Sequence, residues 1–211
     1  MLLYYITDRR QFPGTEVERR AKLLQRIAGA AQSGVDFIQL REKDLRAQEL
    51  EELARQVVQI VRGSSASTRL LINSRCDVAL AVGADGVHLR SADISPQDAR
   101  DIWRKAGSKQ NPVIAVSCHT EAEVAMAAGS GADFAVFGPV FDKKDGTGTS
   151  GGVDMLRSAC QHKIPVLALG GVTIENAAMC VQAGAAGIAG IRLFQEGSVD
   201  QTVETLRGSA D

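Results

Sequence analysis

No apolar run in this 211-residue chain approaches the roughly 20 residues that a bilayer-spanning helix requires, so no such helix is expected. The opening stretch, MLLYYITDRR, is apolar only briefly before it turns charged. It carries neither the basic leader nor the small-residue cleavage site of a signal peptide, and a cytoplasmic location is expected. The four cysteines, Cys76, Cys118, Cys160 and Cys180, form no CxxC pair. That speaks against a zinc knuckle or a redox motif and for four free thiols in a reducing compartment, of which Cys118 alone falls beside the chemistry proposed below. Neither sign of charge is in excess, with 24 basic and 25 acidic residues. Nucleic acid or a membrane surface held by bulk charge is therefore not expected, and any anion must be gripped locally. No glycine fingerprint follows the first apolar run, where the chain reads DRRQFPG, which counts against an open doubly wound dinucleotide-binding sheet. No linker composition divides the chain, so residues 1–211, 45% hydrophobic, are read as one domain able to bury a full core.

What the chain does have is repetition. SGVDFIQL, VGADGVHL, SGADFAVF and AGAAGIAG each place a glycine near a helix end, usually an acidic residue two positions later, and then a strand of small and apolar residues. The glycines, Gly34, Gly83, Gly131 and Gly184, recur about every 50 residues, which is long for one βα unit and right for two units of roughly 25 to 30 residues. Four further apolar runs lie between the copies: LYYIT, RLLI, VIAVS and VLALG. Stretches with apolar residues at three- and four-residue spacing separate them, including VERRAKLLQRIAGAAQ, AQELEELARQVVQIV, PQDARDIWRKA, EAEVAMAAG and IENAAMCVQAG. Eight continuous apolar strands alternating with helices imply an α/β fold with a parallel sheet covered on its outside, a single compact (β/α)8 TIM barrel.

In such a barrel the carboxyl ends of all strands open on one mouth, so the strand ends can be read for chemistry. They offer Thr7 and Asp8; Gln39, Arg41 and Lys43; Asn73 and Ser74; His88, Arg90 and Asp93; Ser117 and His119; Gly138 and the loop DKKDGTGTSGG; Gly170 and Gly171; Gly190 and Arg192. FIQLREK stands out because it sets charge at the end of a buried strand. Arg41 presents a flat fork of donors and Lys43 a point charge, a combination suited to phosphate or diphosphate, and Gln39 can add an amide contact to a heterocycle. The competing reading pairs Arg41 with Glu42 structurally and leaves Lys43 and Asp44 as solvated rim charges. GGVTIEN offers a second anion site, since paired glycines let backbone N–H groups approach an oxyanion and Thr173 is placed to cap the next helix; against this stands a tight turn with no ligand.

QLREK, IN followed by a short helix, GADGVHL with an aspartate soon after, VSCHT, FGPVF, LALGGVT and QAGAAGIA, in that order and across almost the whole chain, resemble the signature segments of the thiamin phosphate synthase and thiazole tautomerase family. The resemblance implies the same barrel and one of two activities. The synthases join a hydroxymethylpyrimidine diphosphate to a thiazole phosphate with magnesium and expel pyrophosphate; the tautomerases isomerise a thiazole carboxylate phosphate. Carried across by position, it puts the pyrimidine diphosphate on Gln39, Arg41, Lys43, Asn73 and Ser117, magnesium on Asp93, and the thiazole phosphate on Gly170, Gly171 and the strand end at Ile191. Arg41, Lys43 and His119 are the expected catalytic groups, His119 as a proton-transfer group or a site-lining imidazole. The partners implied are the two phosphorylated heterocycles, with no nucleic acid and no membrane, and with a homodimer as the assembly to test.

Three positions depart from the synthase pattern. Ser74 stands where that pattern has an aspartate ligating magnesium, which leaves a weakened metal site of Asp93 and Ser74. In the loop after strand six, Thr147 and Thr149 are present, but Ser150 follows where a lysine is expected, so Lys143 or Lys144 would have to replace it. Arg192 replaces a serine and could add a charge to the thiazole phosphate site or pair outward with Glu196. A barrel that binds a phosphorylated heterocycle without turnover is the reading from another class. Of the remaining residues, His88 is expected to be packed and hydrogen bonded, His162 superficial, Trp103 packed against the barrel's exterior, and the arginine pairs beginning at Arg9 and Arg19 solvated.

Overall fold

The computed structural model describes residues 1–141 and 150–208. Eight parallel strands close a barrel in sequence order: β1 (Leu2–Ile6), β2 (Phe37–Leu40), β3 (Arg69–Asn73), β4 (Gly86–Leu89), β5 (Val113–Cys118), β6 (Phe134–Phe137), β7 (Val166–Ala168) and β8 (Gly187–Gly190). The helices are α1 (Glu16–Gln32), α2 (Ala47–Ser64), α3 (Cys76–Val82), α4 (Pro96–Lys105), α5 (Glu121–Gly129), α6 (Ser150–Ala159), α7 (Ala177–Gln182), α8 (Arg192–Gln195) and α9 (Val199–Gly208). No helix among the described residues is long and apolar enough to cross a membrane.

Local chemistry sets the helix starts. Thr15 and Glu18 close a capping box at α1, Thr120 and Glu123 another at α5, and Ser95 caps α4 ahead of Pro96. Helix α7 begins at Ala177, later than the periodicity of IENAAMCVQAG implies, because residues 174–176 form a turn.

The glycine-acid repeat has a definite physical role. Gly34, Gly83, Gly131 and Gly184 all take positive φ, between 68° and 102°, just past the last turn of α1, α3, α5 and α7, where a side chain would be strained. The carboxylate two residues on accepts the N–H of the second residue of the preceding strand: Asp36 from Leu3 at 2.7 Å, Asp85 from Leu70 at 2.8 Å and Asp133 from Ile114 at 2.7 Å. Each also meets an arginine, Arg207, Arg69 and Arg100 respectively. Three of the four copies thus tie adjacent strands together at the amino-terminal face, away from the mouth.

Strand alternation divides the core in two. Outward residues such as Ile38, Leu70, Val87 and Ile114 pack under the helices, with Trp103 of α4 among them as expected. Inward residues Tyr4, Ile6, Leu71, Ala115, Phe134, Val136, Leu167 and Ala189 fill the barrel. Near its floor the Phe37 and Phe134 rings lie 4.7 Å apart, and Tyr4 meets each of them edge-on.

Candidate active site

The inward parity that puts Tyr4, Leu71 and Ala115 in the barrel core brings Gln39, Asn73, His88 and Ser117 to its upper end. Arg41 and His119 follow in the same parity just beyond β2 and β5.

On the β1–β2 side, Thr7 and Arg9 organise the segment REKD. Thr7 is fully buried, donates its hydroxyl to Glu42 at 2.6 Å and accepts the backbone N–H of Arg41 at 2.9 Å. Arg9 was expected in solvent and is instead buried, 3% exposed, among three carboxylates. Its guanidinium donates to Glu42 at 2.9 Å, to both oxygens of Asp44 at 2.8 Å each, and to Glu16 at 2.6 Å. Burial pushes the Glu42 carboxyl up and the Thr7 and Arg9 bonds only partly offset it, whereas Asp44, fixed chiefly by Arg9, is held down.

This clasp decides between the two readings of FIQLREK. Glu42 and Asp44 are both claimed by Arg9, and among the described residues neither Arg41 nor Lys43 pairs with a carboxylate. The structural Arg41–Glu42 pair does not form, and Asp44 is no free rim charge. The Lys43 ammonium is pushed down first by Arg41, then by burial and by Arg90. Arg41, Lys43 and Arg90 thus lie within electrostatic reach of one another, and among the described residues the first two form no ion pair.

On the β3–β4 side, Ser74 occupies the left-handed region at φ 57°, a conformation that aspartate and asparagine tolerate better than serine. Its hydroxyl donates to Asp93 at 2.6 Å and accepts from the Asn73 amide at 3.3 Å. Arg90 donates its backbone N–H to the same Asp93 oxygen at 2.8 Å and its guanidinium to the other oxygen at 2.7 and 3.1 Å. Burial pulls the Asp93 carboxyl up, but the bonds from Arg90 and Ser74 win and keep it low. Among the described residues no three His, Cys, Asp or Glu side chains cluster as a metal cage. Asp93 and the Ser74 hydroxyl are hard oxygen donors that fit magnesium only with substrate oxygens and water completing its shell.

His88 is packed and hydrogen bonded as expected, with Nδ1 2.9 Å from the Tyr4 hydroxyl and Nε2 2.7 Å from Ser117 Oγ. His119 is exposed. Its Nδ1 lies 2.5 Å from the Gly138 carbonyl, which can only accept, so Nδ1 carries the proton and Nε2 has no hydrogen-bond partner among the described residues. Cys118 has the opposite parity from Ser117 and His119. It is buried in the outer core, its thiol pushed up to about 12 by burial, and it takes no place at the mouth. His162 is half-buried and meets Glu121 at 3.3 Å.

On the β7–β8 side, Gly170 and Gly171 both take positive φ, 94° and 65°. A Cβ on the first would stand 2.6 Å from Pro139 Cα, and on the second 2.7 Å from the Phe141 oxygen, so only glycine lets this turn pack on the loop after β6. Thr173 does not cap a helix as expected. Its N–H donates to Asn176 Oδ1 at 2.8 Å while Asn176 Nδ2 donates to the Gly171 carbonyl at 3.0 Å, so the Asn176 side chain closes the turn before α7. A cavity of about 1040 Å³ runs from Gly170, Gly171 and Thr173 past Ile191 and Arg192 toward α9. Arg192 is exposed on its wall and makes no ion pair, with Glu196 or otherwise, among the described residues. Gln195 locks this side to β1, accepting from the Asp8 N–H at 2.8 Å and donating to the Asp8 carbonyl at 3.0 Å. Thr147, Thr149, Lys143 and Lys144 lie outside the described residues.

Tyr4 was missed, Thr7 was named among the strand ends without a role, and Arg9 was placed in solvent. The signal available was the inward parity of Tyr4 with Ile6 and the polar pair Thr7 and Arg9 directly after β1.

Comparison with known proteins agrees with this fold. A family model described as thiamine monophosphate synthase matches residues 3–194. A Geobacter sulfurreducens protein named "Putative thiamine-phosphate synthase" is 44% identical over 190 residues, covering 89% of this chain and 83% of its own. The thiamine-phosphate synthase of Moorella thermoacetica is 36% identical over 168 residues, covering 78% and 77%. The solved structure of a thiamine phosphate pyrophosphorylase from Pyrococcus furiosus superposes with a TM-score of 0.80 at 31% identity, covering 99% of this chain and 94% of that one.

Proposed function

Since the chain belongs to the thiamine monophosphate synthase family, we propose that it is the transferase joining a hydroxymethylpyrimidine diphosphate to a thiazole phosphate with release of pyrophosphate. The observation that carries the reading at the level of residues is the Arg9 clasp, which takes up both neighbouring carboxylates, so that Arg41 and Lys43 form no ion pair among the described residues. In this reading Arg41 and Lys43 neutralise charge that grows on the departing diphosphate. Gln39, Asn73 and Ser117 hold the pyrimidine, whose electrons stabilise the carbocation left behind. Gly170, Gly171, Ile191 and Arg192 hold the thiazole phosphate across the mouth, and Thr147 and Thr149 join the diphosphate grip. Magnesium held by Asp93, with Ser74 beside it, would add positive charge at the leaving group. The balanced composition supports small phosphorylated partners rather than nucleic acid or membrane, and we read the protein as a single-domain cytoplasmic enzyme. The test is formation of thiamin phosphate and pyrophosphate by the purified protein from the two phosphorylated heterocycles. Magnesium-dependent turnover supports the reading; folded protein that makes no product overturns it.

One observation favours the tautomerase as a second reading: His119 keeps Nε2 open while Asp93, the one nearby carboxylate proposed for metal, is engaged by Arg90. Metal-free isomerisation of the thiazole carboxylate phosphate that disappears in His119→Ala would establish it. Unchanged turnover in that variant would remove His119 from the chemistry.

A further inference from the structure

Beneath the mouth, four side chains form an unbroken row of hydrogen bonds whose direction is set by what each atom can donate. Gln39 Nε2 is a donor only and reaches the Tyr4 oxygen at 3.3 Å. That oxygen accepts, so the Tyr4 hydroxyl proton is free for His88 Nδ1 at 2.9 Å. A neutral imidazole that accepts at Nδ1 bears its proton on Nε2, which then donates to Ser117 Oγ at 2.7 Å. Ser117, accepting from below, has its own O–H left for the mouth.

The row is well insulated. Gln39, Tyr4 and His88 are each at most 2% exposed, and the Tyr4 ring lies over the imidazole at 5.7 Å. The aromatic floor of Phe37 and Phe134 closes it from below. Burial, helped by the charge of Arg41, pushes the imidazole down to about 3, so it stays neutral wherever the protein is folded near neutral pH.

We propose that Tyr4 and His88 are positioning residues that fix Ser117 as a hydrogen-bond donor and leave Gln39 Oε1 as the acceptor, so that the mouth selects an amino-substituted pyrimidine over its oxo analogue. An aminopyrimidine edge shows a ring-nitrogen acceptor beside an amine donor, and the oxo analogue shows the reverse. A site built to pair with one edge leaves buried groups unpaired against the other. This inference rests on the reading of Gln39 and Ser117 as pyrimidine contacts, and it adds why they can play complementary roles.

The direct test is nitrogen-15 NMR of histidine-labelled protein, with the His88 signal assigned by its loss in His88→Gln. The row requires the Nε2–H form, without titration between about pH 5 and 8. An Nδ1–H form, or a titration in that range, overturns it whatever the enzyme does. The functional test is Tyr4→Phe, which keeps the ring and removes one hydroxyl. The Michaelis constant for the pyrimidine diphosphate should rise about tenfold and the preference for amino over oxo analogue should shrink, while that for the thiazole phosphate and the affinity for inorganic pyrophosphate stay unchanged. Equal losses for both substrates would mark a merely structural residue. Once Gln39→Ala and Ser117→Ala are both in place, adding Tyr4→Phe should cost no further pyrimidine affinity, and an added loss there would contradict a path through these two residues. If the wild-type protein makes no thiamin phosphate, the synthase reading fails, and the NMR form of His88 together with binding of the aminopyrimidine alone still decides the row.

Discussion

After β2, the carboxylates Glu42 and Asp44 are held by a buried cation from another strand, Arg9; after β4, the carboxylate Asp93 is held by an exposed cation three residues away, Arg90. The two arrangements look alike in composition and differ in what they cost to undo. Removing Arg9 would strand buried Glu42, whereas the Arg90 guanidinium stands in water, where such pairs are worth little. The first clasp is therefore a fixed part of the fold, and it holds the two carboxylates that Arg41 and Lys43 could otherwise pair with. In the proposed reading the second is a latch: a diphosphate arriving at Arg90 would free Asp93 for a metal.

Substitutions sharpen that contrast. Arg9→Met should have the largest effect, about 3–5 kcal/mol of folding free energy, because it leaves Glu42 buried without its cation. Part of that loss should return on acidification. Burial already raises the folded pKa of Glu42, so the folded state binds its proton more tightly than the unfolded chain does, and the penalty grows as pH rises through the carboxylate range. Denaturant titrations of both proteins at acidic and neutral pH check this, and a pH-independent difference would count against it. Arg41→Ala should behave oppositely, with stability within about 0.5 kcal/mol of wild type and kcat/KM lower on the order of 100-fold or more. A matching loss of stability would mean that Arg41 has a structural partner.

The latch side should show smaller shifts. Ser74→Asp supplies a second carboxylate at a left-handed position that aspartate tolerates well, so half-maximal activity should need about tenfold less magnesium. An unchanged magnesium requirement would place the metal elsewhere. Smallest of all, Arg192→Ser should raise the Michaelis constant for the thiazole phosphate a few-fold and leave that for the pyrimidine diphosphate alone. Equal effects would make Arg192 an ordinary surface residue.

The barrel was legible because its signals are local: apolar runs of strand length, and glycines that must sit at positive φ after a helix. The service of Asp36, Asp85 and Asp133 was not, since each bonds the strand before it, up to 33 residues away in the chain. Arg9 was misread for the same reason, as Glu42 and Asp44 follow it by 33 and 35 positions and meet it only when β1 and β2 pair. Cys118 was misplaced by ignoring strand parity, which turns neighbouring residues to opposite faces. Thr173 was misplaced because Asn176 closes a turn where a helix start was expected. Gln39, Asn73, Ser117 and His119 were legible as one group because strand ends of a barrel converge by construction, though the Tyr4–His88 link beneath them joins β1 to β4 and has no local trace.

The claim that the mouth prepared by Arg9 is a synthase site is tested most directly by growth on thiamin-free medium of a host lacking its own synthase. The wild-type chain should restore growth and Arg41→Ala, present at equal soluble level, should not. Failure of the wild-type chain, or equal rescue by both, would contradict the account.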